Sequence, residues 1–472
     1  MSGKPAHESD TSPVADDAAQ DETLDEPQDE TAQVQQESQA PTSEGPGSSS
    51  SAPDAAEQPE EVSASDAADQ PEKPDATGKP GQAGKPGAKG TSRRAMFTGA
   101  GLGAALAGLA GVAGGRAWEA SRRPEDAILT TYPFRGDHQA GITTPAQDNM
   151  FTAAFDVSTT DVEDLKTLLS EWAVAAEQMT AGELIGGQPS SNKQLPPKDT
   201  GEAWGYKPNG LTITFGVGKG LFVDADGKDR FGLAAKMPAI LKEGMPSFSG
   251  DQLHAAQSDG DLLIQACSND AQVCVHAIRN LTRIAFGTAT LRWSQVGYGR
   301  TSSTSVDQET PRNLFGFKDG TNNIKAEDPA DQLNEHLWVQ PGDDAAASWM
   351  AGGTYYVARR IRMLAEVWDR LRLIEQEQTM GRDKRYGAPL SIANPTKSSE
   401  EFTTVDYAAK DDKGETLVPA DAHIAVVSPE QNQGRRMLRR GYNYTDGSDS
   451  LGLLQTGLFF IAFVRDPRTN FY

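Results

Sequence analysis

The order of strand-like and helix-like segments between residues 150 and 300 most constrains the fold. Threonine alternates with Leu211, Ile213 and Phe215, as in a strand with one buried face. Longer segments repeat apolar residues every three to four positions, as amphipathic helices do. The segments are strands at 150–157, 211–217, 261–266 and through Leu291 and Trp293, and helices at 161–178 and 271–286. This strand-helix-strand order, given twice, predicts a ferredoxin-like unit.

A similar order returns later in the chain. The pattern predicts strands at 354–363, 422–427 and 458–464, a helix at 365–379 and a short arginine-rich helix at 434–440. The repeat is one of element order and not of residue identity. We therefore predict an α+β domain over residues 125–472, in which two ferredoxin-like halves, about 148–300 and 350–466, pack around one core.

Residues 1–90 have a different composition. They hold 20 of the 67 acidic residues, 5 of the 44 basic ones and no Phe, Trp or Tyr. Such a chain cannot bury enough apolar surface to offset its ordering entropy, so we predict a disordered acidic tail. The net charge of −23 leaves no basic excess. The composition therefore speaks against a nucleic-acid partner.

Residues 91–117 have the pattern of an export signal. Arg93 and Arg94 precede an uncharged run rich in Ala, Gly and Leu, and Arg116 ends it. Paired arginines before a moderately apolar segment predict a twin-arginine signal, and hence a location in the periplasm, the cell envelope or the medium. The alternative is a weak single-span anchor, although the run is short and glycine-rich for one.

The two cysteines, Cys267 and Cys274, make neither a metal-binding spacing nor a disulfide framework. We interpret them as buried thiols. The chain has no Cys-x-x-Cys-His sequence, which excludes a covalently attached c-type haem.

The segment 313–323, Asn-Leu-Phe-Gly-Phe-Lys-Asp-Gly-Thr-Asn-Asn, is the first candidate site. It places Asp319 between Gly316 and Gly320 behind an apolar lead-in. Glycines allow tight turns and a close approach to a flat ligand. A carboxylate at the edge of an apolar pocket can exchange protons. The alternative is a solvated turn, since Asp-Gly followed by Thr-Asn-Asn also has turn chemistry.

His423 and the arginines after it are the second candidate. Five of the six histidines lie in the tail, in polar surroundings or within a helical run, whereas His423 opens an apolar segment. A neutral imidazole there could hold a haem iron, with Asp421 or a backbone carbonyl fixing its tautomer. A satisfied structural histidine is the alternative. Of the arginines at 435, 436, 439 and 440, one could turn inward toward an anionic ligand.

Residues 316–322 resemble the Gly-x-x-Asp-Gly signature of dye-decolorising haem peroxidases. Segments that also fit this family, in the same order, are 132–142, 353–356, 381–390, His423 and 438–442. The resemblance covers about residues 132–465 and is greatest to the exported subfamily that includes a bacterial deferrochelatase/peroxidase. It implies two ferredoxin-like units of the dimeric α+β barrel type, packed as one haem-binding domain.

The resemblance also implies residue roles. Asp319 becomes the distal acid-base, Arg439 the distal arginine, and His423 the axial iron ligand of a non-covalent haem b. The haem-lining residues would be Gly320, Thr321, Asn322, His423 and Arg439. Relatives often carry Asn-Pro-Arg after the axial histidine, whereas this chain has Ser-Pro-Glu at 428–430. A glutamate cannot pair with a propionate, so Arg360 and Arg362 are alternatives.

The implied activity is reduction of hydrogen peroxide through a ferryl intermediate, with oxidation of dyes, phenols or other one-electron donors. Trp368, Tyr356, Tyr442 and Tyr444 are candidates to carry electrons to bulky donors. The alternatives are iron release from haem with the porphyrin intact, a non-catalytic exported haem carrier, and an exported ferredoxin-like binding domain without haem. Iron-uptake partners and a homo-oligomer are further expectations.

Overall fold

The computed structural model describes residues 124–187 and 191–472. The predicted tail at 1–90 and the predicted signal at 91–117 lie outside these residues. Within the described ranges, no helix combines the length and apolar character needed to cross a membrane.

In the described part of the chain, eight strands form one antiparallel sheet, in the order β2-β3-β1-β4-β7-β8-β5, with β6 paired to β8. The junction between β4 and β7 joins the strands of the first half to those of the second. The strands are β1 Asn149–Val157, β2 Thr212–Val217, β3 Leu262–Ser268, β4 Ala289–Arg300, β5 Tyr355–Arg362, β6 Leu438–Arg439, β7 Tyr442–Ser448 and β8 Leu454–Val464.

Two long helices and several short ones accompany the sheet. The described helices are α1 Pro124–Leu129, α2 Val162–Thr180, α3 Ala239–Glu243, α4 Ala271–Ile284, α5 Ala330–His336, α6 Ala365–Trp368, α7 Leu373–Met380, α8 His423–Val426 and α9 Pro467–Asn470. Single 3-10 turns lie at Lys219–Leu221, Ala234–Lys236, Ala255–Gln257, Ser348–Met350 and Ser398–Phe402.

The first half has the predicted order β1-α2-β2-β3-α4-β4. Asp161 and Asp270 cap α2 and α4, because each side chain accepts from backbone N–H groups of the first turn. The apolar faces of both helices pack on one face of the sheet. Trp172 of α2 is 1% exposed and donates from its indole Nε1 to Leu281 O of α4 at 2.8 Å. Helical and strand periodicity were sufficient here because each element buries one face.

The second half differs from the prediction in three places. Residues 422–427 were expected to form a strand, but His423–Val426 is the short helix α8. The expected helix at 434–440 is instead an irregular stretch that ends in β6, and the helix at 365–379 is divided into α6 and α7. The strand interpretation failed because no strand of the sheet pairs with this apolar run. The burial also does not alternate as in a strand, since Ala422 and Ala425 are buried while Val426 and Val427 are exposed.

The opposite face of the sheet carries a second core. Side chains of β1, β3, β7 and β8 meet there, together with Trp338 and Ile324. Tyr442 and Tyr444 of β7 are both 0% exposed, and β7 itself was not predicted. Its Thr-Asp-Gly-Ser ending has turn composition, yet it pairs with β8 in a hairpin.

Candidate active site

The segment that carries Asp319 is a tight loop held from several sides. Gly316 N donates to Asn313 O at 2.9 Å, and both Gly316 and Gly320 have φ near +80°. A side chain at Gly320 would come within 2.9 Å of the Ser302 backbone, so only glycine fits this left-handed position. The loop is therefore fixed by backbone hydrogen bonds and close packing, and it is not a freely solvated turn.

Trp368 of α6 fixes the apolar lead-in of the same loop. Its ring stacks on Phe315 at a centroid distance of 4.3 Å and meets Phe317 edge-on at 6.0 Å. Its indole Nε1 also donates to Phe315 O at 3.2 Å. Because Trp368 is buried, these contacts position the backbone that presents Asp319.

Asp319 and Arg439 form an ion pair. Arg439 Nη1 donates to Asp319 Oδ1 at 2.9 Å, and Asn313 Nδ2 donates to Asp319 Oδ2 at 3.2 Å. The side chains of Asp319 and Arg439 are 14% and 26% exposed, so both are partly shielded from water but remain accessible. The structure thus brings together the two residues predicted to be catalytic, which are 120 positions apart.

Asn323 fixes the backbone of Arg439. Arg439 N donates to Asn323 Oδ1 at 2.7 Å, and Asn323 Nδ2 donates to Arg439 O at 2.8 Å and to Ser303 O at 3.0 Å. Asn323 is 3% exposed. It ends the candidate segment 313–323, but no role was predicted for it. The pairing ties the Asp319 loop to β6 and orients the Arg439 side chain.

Asn323→Ala is expected to lower the free energy of unfolding by about 1–3 kcal/mol, because it leaves buried backbone groups without partners. Urea unfolding followed by circular dichroism measures this loss. The exposed neighbour Asn322 provides the matched control, and Asn322→Ala should change stability by less than about 0.5 kcal/mol. Equal losses in the two variants would contradict the role assigned to Asn323.

His423 is the first residue of α8. The residue is exposed to solvent, but the surrounding protein desolvates the ring enough to lower its pKa. The negative charge of Asp319 raises this pKa, and the positive charges of Arg439 and Arg382 lower it. The described residues offer the ring no hydrogen-bond partner, and the proposed partner Asp421 makes none with it. The neutral imidazole is thus favoured and free to act as a ligand.

The donor set fits an iron held by a porphyrin. Among the described residues, no three His, Cys, Asp or Glu side chains gather around one point as ligands of a free metal ion do. A single neutral histidine is sufficient for a haem iron. The buried Oγ1 of Thr321 also lacks a protein partner, whereas Gly320 is buried and Asn322 is exposed. These observations fit the predicted haem-lining role of the segment.

Three further charged residues, Lys318, Arg382 and Glu401, interact next to the Asp319 loop, and none of them was predicted. Lys318 Nζ donates to Glu401 Oε1 at 2.6 Å, with side chains 13% and 3% exposed. Arg382 Nη1 donates to Gly387 O and Glu401 O at 2.7 and 2.9 Å. Burial lowers the pKa of Arg382, Glu401 raises it, and the charges of Arg439 and Asp319 also act on it. Lys318 precedes Asp319 in the loop, and the charge of Arg382 interacts with Asp319, Arg439 and His423.

Lys325 contributes charge close to Arg439. Its Nζ donates to Ser303 O and Oγ, both at 2.5 Å. Burial lowers the pKa of Lys325 to about 8, and repulsion by Arg439 adds to the effect. The Lys325 ammonium group near Arg439 is therefore held by the carbonyl and hydroxyl of Ser303, which follows β4. No local sequence pattern indicated this contact.

The low pKa of Lys325 predicts a pH dependence of stability. Unfolding restores the ordinary value of about 10.4, so between about pH 8 and 10 the unfolded chain binds more protons. The free energy of unfolding of the native chain should therefore rise with pH in this range relative to Lys325→Met, by at most roughly 1.4 kcal/mol per pH unit. Urea unfolding of both proteins at several pH values measures this difference, and parallel curves would contradict it.

Several other predicted candidates are held in ion pairs or buried. Arg360 and Arg362 pair with Asp446 and Asp449 at 2.9 and 2.6 Å, so they are not free to bind a propionate. Two of the four predicted electron carriers, Tyr442 and Tyr444, are 0% exposed, and Trp368 is 7% exposed; none of the three reaches the surface. The exposed tryptophans and tyrosines in the described ranges are Trp204, Tyr206, Trp349 and Tyr298.

The arginine-rich run also differs from the prediction that one guanidinium turns inward. Arg435 is exposed and Arg436 pairs with Asp328, but both Arg439 and Arg440 are directed inward. A cavity of about 310 Å³ lies elsewhere, against Val339 and Tyr355. The arginines that line it are largely paired with aspartates, so it does not compete with the Asp319 cluster as a site.

Comparisons with known proteins identify the family of the chain. Two family models match the chain: "Dyp-type peroxidase, N-terminal" over residues 139–299 and "Dyp-type peroxidase, C-terminal" over residues 310–472. The deferrochelatase of Escherichia coli O6:K15:H31 is 37% identical over 387 residues, which is 80% of this chain and 87% of that protein. The deferrochelatase of Escherichia coli K12 is 37% identical over 351 residues, covering 73% and 78%.

Solved structures give the same result. A DyP-type peroxidase from Streptomyces coelicolor superposes with a TM-score of 0.65 at 36% identity and covers 74% of this chain and 88% of its own. Ferric DtpA from Streptomyces lividans gives 0.64 at 36% identity with the same coverage. The predicted fold class, two ferredoxin-like units in one haem-binding domain, is confirmed by these neighbours. The chain therefore belongs to the Dyp-type peroxidase family and is a haem-dependent oxidoreductase.

Proposed function

We propose that the chain reduces hydrogen peroxide and oxidises small one-electron donors at a non-covalently bound haem b, with Asp319 and Arg439 on one side and His423 as the iron ligand. The ion pair between Asp319 and Arg439, at 2.9 Å, carries this proposal, because the charges of both residues also act on the His423 ring. A haem carrier needs no such carboxylate. Haem, when bound, supplies the redox chemistry at its iron.

Asp319 is placed to move a proton. Its Oδ1 accepts from Arg439 and its Oδ2 accepts from Asn313, so the carboxylate is oriented by two donors. It can take the proton of hydrogen peroxide and return it to the oxygen that leaves as water. Arg439 is permanently charged, and it would stabilise the negative charge that grows on the departing oxygen.

The haem would be held by a few elements of the site. Gly320, Thr321 and Asn322 would line one wall, with Thr321 Oγ1 as an available hydrogen-bonding group. His423 would be the metal ligand. Arg382 replaces Arg360 and Arg362 as the candidate cation near the propionates, because its charge acts on both His423 and Asp319.

The absorption spectrum of the purified protein, before and after one equivalent of hydrogen peroxide, tests this proposal. We expect a Soret band that changes on mixing and returns when a reducing dye is added, with the dye oxidised in proportion. A protein without Soret absorbance, or one whose haem leaves peroxide and dye unchanged, would overturn the proposal.

Iron release from haem is the second candidate, and the 37% identity to proteins named deferrochelatase favours it. In this reaction the iron leaves and the porphyrin stays intact, so haem is the substrate. Incubation with haem followed by fluorescence of metal-free porphyrin distinguishes the two activities. Porphyrin fluorescence that rises with enzyme concentration would support iron release, and its absence alongside dye turnover would restrict the protein to peroxidase activity.

We further propose that residues 91–117 direct export by the twin-arginine route. Arg93 and Arg94 before an uncharged run support this proposal. Replacement of both arginines by lysine should retain the protein inside the cell, as measured by immunoblotting of cell fractions. Unchanged export of this variant would contradict the assignment.

A further inference from the structure

Three buried side chains of the second core gather outside the proposed haem site. Cys267 of β3, Tyr442 of β7 and Arg440 are each 0% exposed. Cys267 and Tyr442 belong to the same buried cluster, the charge of Arg440 acts on both the thiol and the phenol, and the thiol and the phenol influence each other's pKa. The proposed peroxidase mechanism uses none of these three residues.

The sheet itself brings the phenol and the thiol together. Tyr442 pairs with Arg300 of β4, whereas Cys267 pairs with Met150 of β1, so two strands separate their backbones at this level. Gly297 of β4 lies between them. A side chain there would come within 2.7 Å of Tyr442 Cβ and 2.9 Å of Met150 Cε. The missing side chain therefore leaves space for the Tyr442 ring to cross β4 toward β3.

Two polar atoms in this cluster have no hydrogen-bond partner among the described residues. They are Tyr442 Oη and Arg440 Nε, both fully buried. Buried polar groups are nearly always satisfied, and a thiol is only a weak partner. The other nitrogens of Arg440 do have acceptors, including Thr144 O at 2.5 Å. The phenol oxygen is thus unsatisfied within the same core that holds the Cys267 thiol.

The cluster also lies close to the proposed site of peroxide reduction. Tyr442 follows Arg439 by three residues, so their Cα atoms are at most about 11 Å apart. Thiols are among the side chains most easily oxidised. When a peroxidase consumes peroxide without an external donor, its own side chains can supply the electrons. A buried phenol against a buried thiol is a suitable internal donor.

We propose that Cys267 and Tyr442 are an internal electron donor pair that becomes joined by a thioether bond when peroxide is reduced in the absence of an external donor. The S–H bond and one ring C–H bond beside the phenol oxygen break, and a C–S bond forms. Two electrons and two protons leave the pair. One hydrogen peroxide accepts them and becomes two waters, so atoms and electrons balance.

Mass spectrometry of the intact holoenzyme after treatment with peroxide tests this proposal. Trypsin should leave Cys267 in the peptide 243–279 and Tyr442 in the peptide 441–465. We expect a joined peptide whose mass is lower than the sum of the two by two hydrogens. It should be abundant without dye, at least tenfold reduced with excess dye, and absent from haem-free protein given the same peroxide.

Matched variants locate the bond. Tyr442→Phe and Cys267→Ala should abolish the joined peptide. Cys274→Ala should retain the joined peptide, although Cys274 lies in the same tryptic peptide as Cys267. Tyr444→Phe should also retain it, because the native Tyr444 phenol donates to Ile361 O at 3.2 Å and not toward Cys267. Circular dichroism and the Soret band verify that each variant folds and binds haem.

The inference rests on peroxidase activity but can fail independently of it. Wild-type enzyme that oxidises dye normally and yields no joined peptide would overturn the inference and leave the function intact. A Cys267 peptide heavier by one oxygen would also overturn it, because the thiol would then react with peroxide directly. A joined peptide in Tyr442→Phe would exclude Tyr442 as the partner.

Discussion

Asp319→Asn is expected to slow the reaction with hydrogen peroxide by about 10²- to 10⁴-fold, the usual contribution of a positioned acid-base group. The amide has nearly the same shape and can still accept from Arg439, but it cannot take a proton at neutral pH. Haem should remain bound, because Asp319 is not the proposed iron ligand. Stopped-flow measurement of the Soret change, as a function of peroxide concentration, gives the second-order rate constant.

The matched control is Asp446→Asn. Asp446 pairs with Arg360 at 2.9 Å, the same distance as between Asp319 and Arg439, but this pair lies on β5 and β7. Its loss should leave the peroxide rate within about twofold, because this partly exposed ion pair lies outside the proposed site and contributes little. If Asp319→Asn reacted at the native rate, another group would have to be the base.

Arg439 and Asp319 are expected to act as one unit. Arg439→Leu removes the charge that would stabilise the departing oxygen and also the donor that orients Asp319. When two residues act as a unit, removing either one already removes most of their joint contribution to the rate. The double variant should therefore react only slightly more slowly than the slower single variant. Additive losses in the double variant would indicate two independent roles.

The sequence was sufficient to predict the first half of the fold and the tight glycine-flanked loop that carries Asp319. In α2 and α4 the apolar residues recur at helical spacing and form one buried face. Asp161 and Asp270 are the N-cap residues that mark where these helices begin. Asp319 lay in a short motif between glycines whose turn geometry the structure reproduces. Local patterns of this kind are encoded within a few residues, which is why they can be recognised without coordinates.

The remaining features depend on contacts between distant parts of the chain. Asn323 binds the backbone of a residue 116 positions away, and Trp368 stacks on a loop 53 positions before it. The apolar residues after His423 suited a strand, but that interpretation requires a neighbouring strand that the fold does not supply. The ion pairs of Arg360 and Arg362 with the β7–β8 hairpin were similarly invisible while β7 itself was not predicted.

His423→Ala is expected to lower haem retention more than any other single substitution. Changes that only disturb the partner of a metal-binding histidine already cost about 10- to 100-fold in affinity, so loss of the ligand itself should cost at least as much. The neutral imidazole, favoured by burial, is the form that binds iron. The ratio of Soret to protein absorbance after gel filtration measures the haem load, and titration of haem into the stripped protein gives the affinity.

His254→Ala provides the control, because His254 is exposed and lies before a 3-10 turn in the first half. It should retain the native haem load. Added imidazole should partly restore the Soret band of His423→Ala, since a small ligand can occupy the space that the ring leaves. This rescue separates ligation from folding: a merely misfolded variant would not respond to imidazole. A full haem load in His423→Ala with an unchanged Soret maximum would show that another group binds the iron.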